Sequence, residues 1–172
     1  MAPAAQVLGS SAPVATYDPS TLVVSDVFEI AAPASVVWDV LMDLARYGEW
    51  NPFCVWAEST FEIGAPLHMR LVNYTNPGSL QAGTEYICAV EPHRLLSWEL
   101  PFHEAWPYAA RRDQILEEVG PELTRYQSTD AFLGENAIHV MRFSGEWVTR
   151  AFNDTGRALK LRAEALHRGD IS

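Results

Sequence analysis

The sequence predicts an α+β fold, a curved seven-stranded antiparallel sheet wrapped around a long C-terminal helix in the order β-α-α-β6-α. Short segments rich in β-branched and aromatic residues, separated by turn residues, fill the middle of the chain. One helical pattern follows the first of these segments, and a longer one ends the chain. A bent sheet with a helix across its concave face buries both apolar patterns.

The length of 172 residues fits one domain. Residues 1–20, rich in Ala, Pro and Ser, are expected to form a loosely ordered arm, and residues 21–169 the domain itself. Hydrophobic residues make up 48% of the chain, which is typical of a globular protein. A domain of this size can bury a sizeable core and still enclose a cavity.

Charge excludes one class of partner. Twelve basic residues against 22 acidic ones give a net charge of −10, which disfavours binding to nucleic acids. No apolar run is long enough to predict a membrane span, and no basic residue precedes Arg46, as a targeting segment would require. A cytoplasmic location is therefore expected. Cys54 and Cys88, without a CxxC motif, are predicted to be buried thiols.

The elements follow in order along the chain. Residues 21–30 predict the first strand, and Pro33 then suits the start of a helix whose apolar positions recur between Val36 and Leu44. Gly48 and Pro52 end this helical stretch. Turn residues then separate six predicted strands, at residues 54–61, 67–74, 83–90, 95–100, 112–119 and 123–132.

The last segment changes to a helical period. An apolar stripe runs between residues 143 and 166, with charged residues largely off it. Gly156 weakens the expectation of an unbroken helix, because a glycine inside a helix costs about 1 kcal/mol relative to alanine. Gly169 is predicted to end the helix.

Four segments carry a resemblance to a known family. They are IAAPASVVWDVLMDLARYGEWNPF at 30–53, VEPHRLLSWEL at 90–100, TRYQSTDAFLG at 124–134 and the helical segment at 152–166. In this order they resemble the START-like (SRPBCC) superfamily with the helix-grip fold, and within it the polyketide cyclase/dehydrase-like family. The resemblance implies a deep apolar cavity between sheet and helix, entered past the loops at one end.

Alternation along the last predicted strand identifies a candidate catalytic group. Tyr126, Asp130 and Phe132 lie on one face of that strand, and the two bulky rings favour the inward face. An inward Asp130 needs a partner or has a raised pKa. It is either a buried structural hydrogen-bonding group or a general base.

The neighbouring strand leaves two alternatives open. If Leu116 faces inward, Arg112 faces inward with it and can approach Asp130. If Ile115 faces inward, Asp113 does so instead and Arg112 points to solvent.

The remaining candidates lie on predicted strands, on the final helix and in one loop. His103, in the aromatic-rich loop at 101–110, is a candidate acid/base beside Glu104, although this loop also suits a lid over the cavity. Arg112, Tyr126 and His103 are candidates for polarising a carbonyl or enolate oxygen of the substrate. The predicted ligand-binding side chains are Trp98, Tyr86, Met69, Leu71, Trp106, Tyr108, Phe132, Phe152 and Leu159.

Three functions are compatible with this pattern. The favoured one is a cofactor-independent cyclase, dehydratase or isomerase of a polyketide- or terpenoid-like substrate, acting as a monomer or homodimer. The alternatives are a non-catalytic carrier of a lipid, sterol or pigment, and a regulatory interaction module. No metal-ligand spacing and no GxSxG motif occurs in the sequence, so neither a metal nor a cofactor is expected.

Overall fold

The computed structural model describes residues 17–102 and 108–172. A 3₁₀ turn, Pro19–Thr21, leads into the domain. The helices are α1 Ala34–Met42, α2 Tyr47–Trp50 and α3 Ala137–Arg168. The strands are β1 Leu22–Val24, β2 Phe28–Ile30, β3 Cys54–Glu58, β4 Pro66–Val72, β5 Leu80–Glu91, β6 Leu95–Leu100, β7 Ala109–Gly120 and β8 Leu123–Leu133.

The strands form one open, curved antiparallel sheet in the order β1-β8-β7-β6-β5-β4-β3, with β2 also paired to β8. The predicted α+β class and antiparallel sheet are confirmed. The strand count differs, because the segment predicted as one strand at 21–30 is divided into β1 and β2. Ser25 lies between them, and its N–H donates to the Ser128 carbonyl while its hydroxyl accepts from the Ser128 N–H. These bonds anchor the interruption to β8.

Local hydrogen bonds join the two short helices to each other and to the start of β3. Val37 and Leu41 of α1 are fully buried. The Tyr47 hydroxyl of α2 donates to the Leu41 carbonyl at 2.7 Å. The side-chain oxygen of Asn51 accepts from the backbone N–H groups of Phe53 and Cys54, and this interaction ends the helical pair and starts β3.

Helix α3 is continuous through Gly156 and ends as predicted at Gly169, which has φ +75°. Gly156 lies against the ring of Phe28, and a Cβ added there would be 2.2 Å from a ring carbon. The glycine is therefore required by the close approach of α3 to β2. Within the described chain, no helix combines the length and apolar composition needed to cross a bilayer.

Among the described residues, the core consists of two apolar clusters under α3. The α1-side cluster joins α1 to the middle of the sheet and includes Leu41, Leu96, Trp98 and Leu159. The loop-side cluster lies under the first half of α3 and includes Val23, Phe53, Phe132, Val148 and Phe152. The polar groups described next lie where these two clusters meet.

Candidate functional site

Contacts with α3 and β8 show which side chains of β7 face inward. The Arg112 guanidinium carbon is 4.0 Å from the ring centre of Phe152 on α3, and the Tyr126 hydroxyl donates to the Gln114 side chain at 2.9 Å. Arg112 and Gln114 therefore face inward, with Leu116. Of the two alternatives left by the sequence, the structure has the one in which Arg112 lies on the inner face.

Asp113 accordingly lies on the outer face. Its carboxylate accepts a hydrogen bond from the Ser97 hydroxyl at 2.5 Å and one from Arg111 Nε at 3.0 Å. These two donors compensate the burial of its charge.

Asp130 lies on the inner face of β8, directly opposite Arg112 in the register of the two strands. Within residues 17–102 and 108–172, nothing donates a hydrogen bond to its carboxyl, and no basic nitrogen lies within 4.0 Å of it. It is therefore not a satisfied structural hydrogen-bonding group in this part of the chain.

A second carboxyl, Glu85, faces the same interior from β5. Its register partner on β4 is Leu67, which is fully buried in the α1-side cluster. Like Asp130, Glu85 has no hydrogen bond and no ion pair with the described residues.

Burial raises the pKa of both carboxyls. Desolvation is the largest cause at Asp130 and raises its pKa to about 7, with a further increase from Asp113 and a decrease from Arg112. Desolvation is also the largest cause at Glu85, and together with the charge of Asp130 it raises the pKa to about 8, while Arg112 lowers it. Both groups therefore titrate close to neutral pH.

The two carboxyls lie near each other on the inner face. Each keeps a partly exposed surface, and the charge of Asp130 contributes to the raised pKa of Glu85. We call the space between Glu85 on β5 and Asp130 on β8 the hollow.

Arg112 supplies a fixed positive charge beside the hollow. Its side chain is 7% exposed, and its guanidinium carbon lies 4.0 Å from the Phe152 ring centre and 5.3 Å from that of Trp98. Its Nε donates to the Ser128 hydroxyl at 3.1 Å, while Nη2 is buried without a hydrogen bond from the described residues. Two aromatic faces thus stabilise a cation that lacks a full set of acceptors.

The two carboxyls influence each other's ionisation. The negative charge of Asp130 opposes ionisation of Glu85. The pair therefore loses its two protons in separate steps, and between these steps it holds one group able to accept a proton and one able to donate a proton.

Most of the predicted apolar lining lies on the inner face or on α3. The buried members are Met69, Trp98, Phe132, Phe152 and Leu159, and Leu71 is partly exposed at the end of the inner row of β4. Tyr126 is fully buried, and its phenol is held by Gln114.

The prediction that Tyr86 lines the ligand-binding cavity is wrong. It pairs with Glu99 on β6 while its neighbour Ile87 pairs with inward Trp98, so Tyr86 lies on the outer face with 40% of its surface exposed. Tyr108, the residue before β7, is 38% exposed. His103 and Trp106 lie outside the described residues.

Sequence reasoning missed Glu85 because of the choice made at Tyr86. Side chains alternate along a strand, so an inward Tyr86 sends Glu85 outward. Inward Ile87, which is fully buried, requires the opposite assignment. The Gly83-x-Glu85-x-Ile87 alternation was the signal available in the sequence.

The open antiparallel sheet, the helix across its concave face and the hollow between them define a START-like protein with the helix-grip fold. The family model described as "Polyketide cyclase / dehydrase and lipid transport" matches residues 21–164, and the chain belongs to this family. It is thus one of the START-like proteins that bind small hydrophobic molecules.

Solved structures share the fold at low sequence identity. The ZhuI aromatase/cyclase from Streptomyces sp. R1128 is 19% identical with a TM-score of 0.61, and the match covers 84% of this chain and 93% of that one. Protein TTHA0849 from Thermus thermophilus is 14% identical with a TM-score of 0.63, covering 84% and 98%. Protein NE0264 from Nitrosomonas europaea is 15% identical with a TM-score of 0.61, covering 84% and 97%. A search of curated protein sequences gives no match.

Proposed function

We propose that this protein is an enzyme that cyclises, dehydrates or isomerises a polyketide-like hydrophobic substrate by acid–base chemistry. The observation that carries the proposal is the Asp130 carboxyl, which borders the hollow without a hydrogen-bond partner among the described residues. An unpartnered carboxyl is costly in an apolar interior, and such a cost is typical of catalytic groups.

Asp130 acts as the general base in this proposal. Its raised pKa of about 7 makes it a stronger base than an ordinary carboxylate while leaving it ionised near neutral pH. The proton it takes is one on a carbon next to a substrate carbonyl, where the resulting negative charge is delocalised onto oxygen. The charge of Arg112 favours that enolate, and it also favours the ionised form of Asp130.

The apolar lining positions the substrate. Trp98 and Met69 contribute from the sheet and Phe152 contributes from α3. Flat hydrophobic rings bind against such surfaces, and a folded reactive conformation is favoured when the walls exclude extended ones.

The test compares the wild-type protein with the Asp130→Asn variant. Ligand extracted from freshly purified protein is weighed by mass spectrometry, added back, and weighed again after incubation. We expect a mass change with the wild type and a rate at least about 100-fold lower with the variant. Ligand that leaves both proteins chemically unchanged would contradict the proposal.

A carrier function is the second candidate, and solvent-exposed aromatic side chains near the loops favour it. Phe102, two residues after the end of β6, is 65% exposed, and Phe143, on the first half of α3, is 85% exposed. Exposed aromatic side chains at one end of the fold suit transfer of a hydrophobic ligand to or from another surface. In that case Asp130→Asn changes affinity modestly, and the ligand mass stays constant.

A further inference from the structure

We propose that residues 1–16, the N-terminal segment, pack across the outer face of the sheet over β6, β7 and β8 and form an intramolecular interface there. The outer face is the side of the sheet that is turned away from α3. This inference is independent of the proposed enzymatic function, because it concerns a surface that belongs neither to the hollow nor to the two apolar clusters.

The middle of the outer face is buried. Leu96 and Trp98 on β6 and Leu116 on β7 face inward into the α1-side cluster, so their strand neighbours face outward. The outward residues of β6, β7 and β8 in this region are Leu95, Ser97, Asp113, Ile115, Thr129 and Ala131. None of them is more than 7% exposed. An uncovered sheet face would leave such side chains open to water, so part of the chain covers them.

The helices do not provide this cover. They pack on the inner face, where their apolar side chains belong to the α1-side and loop-side clusters. In the described part of the chain, Leu95, Ile115 and Ala131 belong to neither cluster. Because the burial arises within a single chain, the cover is another segment of the same polypeptide.

The connection between β6 and β7 is too short to reach this region. It begins beyond the register pair Leu100 and Ala110, whereas Leu95 and Ile115 are partners five positions farther along the two strands. Five positions in a strand span about 17 Å. An excursion of five residues, 103–107, out from the strand ends and back reaches about 8 Å at most. The N-terminal segment is long enough.

The described chain begins at the border of the buried region. The pKa of the Tyr17 phenol is raised, first by burial and next by the negative charge of Asp113, while Arg111 lowers it and Cys88 raises it further. Asp113 and Arg111 lie on the outer face of β7, so the Tyr17 side chain lies beside that face. The segment that precedes Tyr17 therefore starts where the cover is needed.

The composition of residues 1–16 suits a covering segment. The sequence MAPAAQVLGSSAPVAT has no charged side chain, although 20% of the whole chain is charged. Val7, Leu8 and Val14 supply apolar groups, and two prolines favour an extended backbone. Sixteen extended residues span about 50 Å, which exceeds the width of three strands, about 14 Å.

The buried charge on the outer face already has donors. The Asp113 carboxylate accepts hydrogen bonds from the Ser97 hydroxyl and from Arg111 Nε. A segment without charged side chains can therefore lie over Asp113 without leaving the carboxylate unpaired. The face fits this uncharged segment better than it fits a charged partner.

Methyl contacts in the full chain test the proposal directly. Protein labelled at its isoleucine, leucine and valine methyl groups is studied by nuclear Overhauser spectroscopy, which detects methyl groups in close contact. We expect cross-peaks from Val7, Leu8 or Val14 to Leu95 or Ile115. The inference is overturned if none occurs. It is also overturned if they arise only between chains in a mixture of labelled and unlabelled protein, which would place a second copy on this face.

A thiol placed on the outer face gives a second measurement. Thr129→Cys, combined with Cys88→Ser, puts one reactive group in the buried region, and buried Cys54 on the inner face is the internal control. We expect the thiol at position 129 to be alkylated at least about 100-fold more slowly than in the urea-unfolded protein. Equal rates would contradict the proposal.

Charges added to the N-terminal segment should remove this protection. Three aspartates cannot remain against an apolar face, so alkylation at position 129 should become about 100-fold faster, while Cys54 stays protected. The variant combines Val7→Asp, Leu8→Asp and Val14→Asp. The control adds the same charge at polar positions, Gln6→Asp, Ser10→Asp and Ser11→Asp, and should stay protected. Protection that survives in the first variant would show that another segment covers the face. If Cys54 reacts as well, the fold has opened, and the methyl contacts of the unaltered chain decide.

Discussion

Arg112 and Asp130 are directly opposite each other on β7 and β8, yet they form no ion pair. The guanidinium instead donates to Ser128 and lies against Phe152 and Trp98. A direct salt bridge would hold the pKa of Asp130 well below neutral and make it a weak base. The separation keeps the charge of Arg112 close enough to favour ionisation, but leaves the carboxylate free to take a proton.

Replacing Arg112 with methionine should move the activity profile to higher pH. The charge of Arg112 lowers the pKa of both Asp130 and Glu85, so its loss raises both values. A nearby opposite charge shifts a pKa by about 1–3 units. We therefore expect the rise of turnover on the acid side of the pH profile, the acid limb, to move to higher pH by about 1 unit or more. Steady-state turnover measured across pH gives the shift.

Arg112→Lys is the control for this variant, because it retains the charge but loses the planar contact with Phe152. Its acid limb should remain near that of the wild type. If the methionine variant kept the wild-type limb, the charge of Arg112 would have no part in setting the ionisation of Asp130.

Asp130→Asn and Glu85→Gln should each stabilise the protein at alkaline pH. Each carboxyl has a pKa raised above its ordinary value of 3.8 or 4.5, so the folded state holds its proton more tightly than the unfolded state. Wild-type stability is therefore greatest below about pH 4 with respect to these groups, and it falls until the pH passes about 7 for Asp130 and about 8 for Glu85.

A neutral amide at either position removes the loss of folding stability at alkaline pH. One pKa unit corresponds to about 1.4 kcal/mol, and after allowance for water in the hollow we expect each variant to gain about 2 kcal/mol at about pH 9. Near pH 4 the gain should vanish, because both carboxyls are protonated in the wild type. Urea unfolding at the two pH values measures the difference, and equal effects at both would show that the carboxyls are not desolvated.

Trp98→Leu should weaken binding of a flat aromatic ligand about 10-fold. The indole lies on the inner face of β6 and contacts the Arg112 side chain, so its removal deletes both an apolar wall and a support for the cation. Trp56→Leu is a suitable control, because Trp56 is exposed on the edge strand β3. Titration with naphthol, followed by its fluorescence, compares the two variants. Equal affinities would place the ligand away from Trp98.

The fold was largely predictable because its signals are local. Turn residues such as Gly64 and Gly78, both at positive φ, separate the strands, and Gly169 ends α3 in the left-handed conformation. Each of these positions determines the backbone without reference to distant residues. The break at Ser25 was not predictable in this way, because it depends on hydrogen bonds to Ser128.

The candidate site was predictable only where the apolar side chains of a strand showed clearly which of its faces points inward. Tyr126 and Phe132 identified the inner face of β8 and therefore the orientation of Asp130. Glu85 shares its strand with a bulky residue on each face, Tyr86 and Ile87, so the apolar pattern did not fix its direction. Neither the pairing of Glu85 with Leu67 nor the distance between strands β5 and β8 is a local property.

Gly156→Ala should destabilise the fold although alanine favours helices. The added Cβ would lie 2.2–2.8 Å from three ring carbons of Phe28, and neither the ring nor the helix can move freely. Alanine gains about 1 kcal/mol in helix propensity, but overpacking costs about 1–3 kcal/mol, so we expect a net loss of about 1 kcal/mol or more. Gly145→Ala is the matched control on the same helix, since its Cβ meets the flexible end of Met141 instead. Thermal unfolding should show a lower Tm for Gly156→Ala and an equal or higher one for Gly145→Ala. A higher Tm for both would mean that α3 and β2 approach each other less closely than the Phe28 contact requires.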